Sequence, residues 1–149
     1  MIREMKPDDI PVCAEILCSV YNNDLWRSRW EPSAAIEYLT DIFRMPKFLG
    51  YVIEENGEIL GAVFAREKVW WSGSEVYVEE LFVKPEYQGK GFGSGLMGRI
   101  EQYVQEKGLA GITLSTNRYA PASAFYHQLG FADCEHVLFL CKEIDSSNR

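Results

Sequence analysis

Residues 78–95 read VEELFVKPEYQGKGFGSG, from Val78 to Gly95. The apolar run ending at Leu81, Phe82 and Val83 predicts a buried strand, and Pro85 stops it. Glycines then stand at 89, 91, 93 and 95, and a helix with an inward stripe of Leu96, Ile100, Tyr103 and Val104 follows to Gly108. Glycines at a strand-to-helix junction let the backbone approach a ligand and aim successive N–H groups at it, and the helix dipole adds partial positive charge. The stretch therefore predicts a phosphate cradle. A plain turn would need fewer glycines.

Two common cradles are excluded by spacing. In G-x-x-x-x-G-K-[ST] a Ser or Thr follows the Gly-Lys pair, whereas Gly89-Lys90 is followed by Gly91. Gly93-Ser94-Gly95-Leu96-Met97-Gly98 satisfies G-x-G-x-x-G, but Lys84 to Gln88 separate it from the strand. The acidic residue that a dinucleotide site needs about 20 positions on is also missing, where Asn117 and Arg118 stand. A nucleotide-dependent oxidoreductase is thus a rival that predicts affinity for NAD.

Outward from this stretch, a strand is predicted from Ile112 to Thr116, a helix opening at Pro121, and two final strands, at Phe131–Cys134 and Val137–Cys141. Strand, helix and strand across 75–116 make one βαβ unit with parallel strands. Upstream, Asn56-Gly57 joins two strands, Tyr51–Glu55 and Glu58–Arg66, in a two-residue hairpin, and Trp70–Ser74 connects to the strand at Glu75. A short strand at Ile2–Met5 and helices over 8–21 and from Pro32 to Arg44 come first. The residues from Asp145 to Arg149 read as a frayed tail.

The 149 residues suit one domain, with 47% hydrophobic and 25% charged residues. Fifteen Lys and Arg against 22 Asp and Glu leave a formal charge of −7. That sign disfavours nucleic acid and anionic membranes and favours a cationic partner. The N-terminal residues are charged and no run nears the roughly 18 apolar residues of a membrane span, so a cytoplasmic protein is expected. Cys13 and Cys18 fall on an apolar helix face as core residues, and the four cysteines show no metal-ligand spacing, so no metal is expected.

The residues resemble the GNAT superfamily of acetyl-CoA-dependent N-acetyltransferases. Gln88-Gly89-Lys90-Gly91-Phe92-Gly93 matches the central [RQ]-x-x-G-x-[GA] motif, after the lead-in Leu81-x-Val83-x-Pro85-Glu86-Tyr87. A second motif, Asn117, Ala122, Phe125-Tyr126 and Leu129-Gly130-Phe131, follows in the right order. The resemblance implies an α/β (α+β) GNAT fold over residues 1–149 as a single domain. Its mixed sheet would have about six to seven strands: an antiparallel meander and a parallel βαβ unit with splayed strands, flanked by about four helices.

It also implies a site. Backbone groups of Leu81, Phe82 and Val83 would pair with the pantetheine arm. Gln88, Gly89, Lys90, Gly91, Phe92, Gly93 and Ser94 would hold the pyrophosphate. Asn117 and Tyr126 would touch the cofactor at the splay. Tyr126 stands at the family's position for the acid that protonates the leaving thiolate, and Glu79 at that of a base. An amine with a pKa near 10.4 is protonated at neutral pH, so attack requires a proton acceptor. Glu79 and Glu80 are the candidates, with Glu79 the first choice from the resemblance; as strand neighbours they point to opposite sides unless a bulge intervenes.

For the acceptor, Trp70 and Trp71, together with Tyr21, Trp26, Trp30, Glu75 and the Glu79-Glu80 pair, would suit a cationic small-molecule amine. The tryptophans could equally pack a loop against the sheet. His127 and His136 carry no assigned role. Acetylation of a peptide amino group and a non-catalytic acyl-CoA sensor stay open, and a homodimer is implied by the dimers common in the family. With a net charge of −7, a polyanionic cofactor must be held by local N–H groups and Lys90.

Overall fold

The computed structural model describes residues 1–145. Strand β1 (Ile2–Glu4) and helices α1 (Ile10–Tyr21) and α2 (Pro32–Phe43) lead into β2 (Phe48–Glu55), β3 (Glu58–Lys68) and β4 (Glu75–Val83). Helix α3 (Phe92–Lys107), β5 (Ile112–Leu114) and α4 (Pro121–Gln128) complete the described elements. The sheet runs β1-β2-β3-β4-β5, antiparallel through β4 and parallel between β4 and β5. The meander and the βαβ unit lie where the residue patterns predict them.

Local chemistry accounts for the elements. Pro32 opens α2, where its missing N–H is no loss, and Ala35, Leu39 and Ile42 form its buried stripe. Asn56 and Gly57 adopt φ of 52° and 79°, the left-handed pair that a type I′ turn needs, between paired Glu55 and Glu58. The N-terminus is clamped at Asp9, a buried carboxylate that accepts two bonds from Arg3, at 2.9 and 3.0 Å, and the Lys6 N–H at 2.8 Å. Burial disfavours the Asp9 charge, yet these donors outweigh it and hold the carboxyl below its usual range.

Side-chain alternation divides the core into two layers. Val52, Ala62, Phe64 and Phe82 pack under α1 and α2, while Tyr51, Val63, Ala65, Val76 and Val78 pack under α3 with Leu96, Met97 and Ile100. Cys13 is fully buried in the first layer, and burial pushes its thiol up to about 12. Cys18 is half-buried against that layer, and its thiol reaches the Trp30 carbonyl at 3.8 Å. Cys134 and Cys141 are exposed.

The sheet differs from expectation at its C-terminal edge. Five strands form among the described residues instead of six to seven, and neither Phe131–Cys134 nor Val137–Cys141 is a strand. Strand propensity needs a ladder partner to become a strand. These residues have none here: 132–145 are exposed, and the backbone turns where the Val137 N–H meets the Cys134 carbonyl at 3.1 Å. β5 also stops at Leu114 rather than Thr116, because pairing with β4 ends at Val78↔Leu114. The tail beyond Asp145 lies outside the described residues.

Candidate active site

The site is built around β4. Beyond Val78 this strand keeps its β3 partners but has no β5 partner, so its edge from Glu79 to Val83 is open. Pairing with β3 passes from Phe64↔Glu80 to Ala65↔Val78, which leaves Glu79 as the extra residue of a β-bulge. The bulge cancels one alternation. Both carboxylates therefore reach the α1–α2 side, where Glu79 meets Arg66 at 3.1 Å and Glu80 accepts from the Tyr38 hydroxyl at 2.5 Å.

Glu80 is held by an aromatic wall. Tyr38 on α2 bonds it, Trp30 stacks on Tyr38 at 5.0 Å, and Tyr21 on α1 donates to the Leu81 carbonyl at 3.3 Å. Trp26 packs edge-on against Tyr21 at 4.9 Å. Burial pushes the Glu80 carboxyl up to about 7; the Tyr38 hydrogen bond opposes the shift and the neighbouring Glu79 charge adds to it. Burial and the Glu80 charge also raise Tyr21 and Tyr38 above the ordinary phenol value. Neither Tyr38 nor Arg66 was singled out from sequence. Tyr38 borders the Ala35–Leu39–Ile42 stripe of α2, a periodicity that marks it as core-facing without naming a polar partner.

Tyr126 comes from α4. It is 9% exposed, its ring is packed by Phe125 at 5.1 Å and Phe131 at 5.5 Å, and burial with the Glu80 charge pushes its hydroxyl up to about 12. Among the described residues no buried side-chain oxygen or nitrogen lacks a partner, and the Tyr126 hydroxyl makes no hydrogen bond, so that oxygen keeps contact with solvent. A phenol packed on its ring and open at its tip can give a proton to whatever enters.

The glycine-rich loop fits a phosphate on two observations. Gly89 and Gly91 hold φ of 77° and 88°, a conformation that side chains with a Cβ rarely adopt. Gly91 precedes the first turn of the sixteen-residue α3, whose N–H groups receive no side-chain cap. Residues 88–91 and Ser94 are exposed, and Phe92 packs on Tyr87 at 6.3 Å. Lys90 lies over the Tyr87 ring at 5.4 Å. At Gly93 a Cβ would stand 3.2 Å from Phe125 Cζ, so the small residue lets α4 close on α3.

Other expected contacts are already engaged. The Gln88 side chain donates to the Val83 carbonyl at 3.0 Å and steadies the loop against β4; the Leu81 and Val83 carbonyls each keep a second lone pair. Asn117 is exposed and its Oδ1 accepts the Tyr119 N–H at 2.8 Å, closing the turn after β5. Trp26 and Trp30 join the wall around Glu80, but Trp70 and Trp71 do not. Trp71 is 88% exposed on the β3–β4 loop, and the Trp70 ring carries Lys68 at 4.5 Å. Glu75 is likewise held elsewhere, accepting from the Thr113 hydroxyl at 3.1 Å. A concavity of about 650 Å³ lined by Asn22, Asp24, Arg27, Trp30 and Glu31 opens beside the wall.

Among the described residues no helix is long and apolar enough to cross a membrane, and no group of His, Cys, Asp and Glu is arranged to hold a metal. A mixed sheet whose β4 runs on past its β5 partner, with a glycine-rich helix start beyond the open edge, marks an acyltransferase-type α/β protein. A sequence model of the acetyltransferase (GNAT) family matches residues 17–131, and the chain belongs to that family. It is similar to the thialysine N-epsilon-acetyltransferase of Bos taurus, 33% identical over 64 residues, 42% of this chain and 38% of that protein. It is also similar to the streptothricin acetyltransferase of Streptomyces lavendulae, 31% identical over 80 residues, 53% of this chain and 41% of that protein. The matches thus span well under half of those relatives. In solved form, a possible acetyltransferase from Clostridium difficile shares the fold with a TM-score of 0.82 at 16% identity, over 97% of this chain and 98% of that one.

Proposed function

We propose that the chain is an N-acetyltransferase that moves the acetyl group of acetyl-CoA directly onto a primary amine of a small, cationic acceptor. The observation that carries this reading is the Glu80 carboxyl, bonded to Tyr38 at 2.5 Å beside the open stretch of β4, with the buried Tyr126 ring near enough to feel its charge. A carboxyl poised near neutrality and a phenol close enough to feel its charge form an acid–base pair. The two relatives named above are called acetyltransferases of thialysine and of streptothricin, which supports an amine acceptor.

Acetyl-CoA, when bound, would supply a thioester that exchanges its C–S bond for a C–N bond to the acceptor nitrogen. Glu80 takes the proton of the incoming ammonium at its carboxylate, freeing the nitrogen lone pair. Tyr126 would give its hydroxyl proton to the departing thiolate, and the second proton that the nitrogen loses on becoming an amide would restore the phenol. Glu79, paired with Arg66 at 3.1 Å, adds its charge to the field at Glu80. The amides from Gly89 to Ser94 and the Lys90 ammonium would hold the pyrophosphate, and the backbone of Leu81, Phe82 and Val83 would receive the pantetheine arm. Asn117 would border that arm through the turn it closes. The faces of Trp26 and Trp30 and the concavity beside Trp30 hold the rest of the acceptor.

Thiol release from acetyl-CoA against a panel of polyamines, aminoglycosides, amino acids and peptides tests the reading. Turnover with a primary amine is expected, with Tyr126→Phe about a hundredfold slower while acetyl-CoA still raises the melting temperature. Stabilisation by acetyl-CoA without turnover on any amine would leave the sensor alternative standing. No stabilisation by acetyl-CoA would overturn the proposal.

A further inference from the structure

We infer that Asn22, Trp30 and Tyr38 form a positioning chain that runs from the end of α1 to the Glu80 carboxyl, so that the α1–α2 loop, and not β4 alone, fixes where the proton acceptor points. Its part in the reaction rests on the acetyltransferase reading, and its existence on geometry. The chain starts where α1 stops. The Asn22 N–H donates to the Cys18 carbonyl at 2.9 Å and closes the last turn of the helix. Its side-chain amide also engages Trp30: the Trp30 N–H donates to Oδ1 at 2.7 Å, and Nδ2 donates to the Trp30 carbonyl at 2.9 Å. Both backbone groups of Trp30 are thereby tied to the helix end, and the Cys18 thiol reaches the same carbonyl at 3.8 Å.

The rings carry the constraint onward. Trp30 stacks on Tyr38 with centroids 5.0 Å apart and planes 25° from parallel, an arrangement favoured beyond the area it buries. The Tyr38 hydroxyl then donates to Glu80 Oε2 at 2.5 Å. The other groups that face this carboxyl are Tyr21 on α1, Glu79 on β4 with Arg66 of β3 paired to it, and Tyr126 on α4. Among the described residues none of these hydrogen-bonds Glu80, so Tyr38 is its one directional partner. The same loop sends a second aromatic pair to the next residue of the strand: Trp26 packs on Tyr21, which donates to the Leu81 carbonyl at 3.3 Å. Two consecutive residues of the open edge are thus held from one loop.

A hydroxyl that donates to a carboxylate favours its charged form, which offsets part of what burial costs that charge. A carboxyl held in one orientation also stays within reach of the incoming nitrogen, and misplacing such a group by about 1 Å can cost on the order of a hundredfold in rate. Trp30 further lines the concavity beside the aromatic wall. The surface offered to the far part of an acceptor and the brace of the proton acceptor are therefore one side chain, so binding there bears on kcat as well as on KM.

Carbon NMR titration of the Glu80 carboxyl in the full chain, assigned with Glu80→Gln and read without acetyl-CoA or acceptor, tests the inference. Tyr38→Phe keeps the stacked ring and removes the hydroxyl, and should raise the midpoint by about one pH unit or more. Asn22→Ala should raise it by less, and adding it to Tyr38→Phe should raise it no further, because both act through one contact. Turnover by Tyr38→Phe should fall at every pH, and by about a further tenfold below the shifted midpoint, with the KM for acetyl-CoA unchanged. An unmoved midpoint in Tyr38→Phe would overturn the inference whatever happened to the rate, because a merely structural residue lowers turnover without moving it. So would an Asn22→Ala midpoint equal to that of the wild type, or shifts that simply add in the double variant. A wild-type chain that turns over no amine would overturn the acetyltransferase reading alone and leave these midpoints to decide the chain of contacts. If Tyr38→Phe does not fold, Asn22→Ala, at the exposed end of the chain, decides by the same midpoint.

Discussion

At Glu80 the carboxyl is withdrawn from water, bonded to Tyr38 and set near Glu79, and its midpoint rises from 4.5 to about 7. The native state therefore holds a proton that the unfolded chain has lost between those two values. Stability from this group is complete below about 4.5 and declines as pH rises to about 7, by on the order of 3 kcal/mol. Thermal melts of Glu80→Gln should lack that decline and exceed the wild type above pH 7. Rate moves the other way, because the acceptor form is the deprotonated one. Turnover should rise about tenfold per pH unit below 7 and level off above it, and Glu80→Gln should lose that limb with about a hundredfold of kcat. The two carboxylates were legible as candidates in the sequence. Which of them is buried was not, since that depends on Arg66 and Tyr38 arriving from β3 and α2.

Among the elements, the junction from β4 to α3 is the one whose chemistry is written locally. Gly91 is held at φ 88° with open space where a Cβ would stand, so a side chain there is excluded by backbone strain and not by crowding. Gly91→Val should cost stability on the order of 1–2 kcal/mol and abolish the rise in melting temperature produced by acetyl-CoA; a retained rise would reduce the loop to a turn. The bulge at Glu79 belongs to a different category. Glycine spacing and hairpin residues declare themselves along the chain, whereas a bulge is a relation between two strands, here Phe64↔Glu80 giving way to Ala65↔Val78. The final strands failed for a related reason: β propensity at 131–134 and 137–141 is real, but a strand needs a neighbour.

For the molecule as a whole, stability rests on the two core layers that the sheet separates. Phe64 is fully buried between Phe48 and Phe82, with ring centroids 6.0 and 5.9 Å away. Phe64→Ala should cost about 3–5 kcal/mol in urea unfolding, a large part of the 5–15 kcal/mol typical of a domain. The net charge of −7 acts at this scale too, setting a field that opposes a polyanion everywhere except where local N–H groups are aimed at it. The sequence by itself determined the order of elements, the hairpin at Asn56-Gly57, the glycine loop and the family, because backbone conformation and hydrophobic period are set by near neighbours. Tertiary structure alone decided that Glu80 is the carboxyl withdrawn from water, that Trp26 and Trp30 pack on Tyr21 and Tyr38 beside it while Trp70 and Trp71 do not, and that the edge of β5 has no second partner among the described residues. Each of these depends on which surfaces distant segments bring together, and burial, not residue type, sets the free energy of a charge or an apolar face.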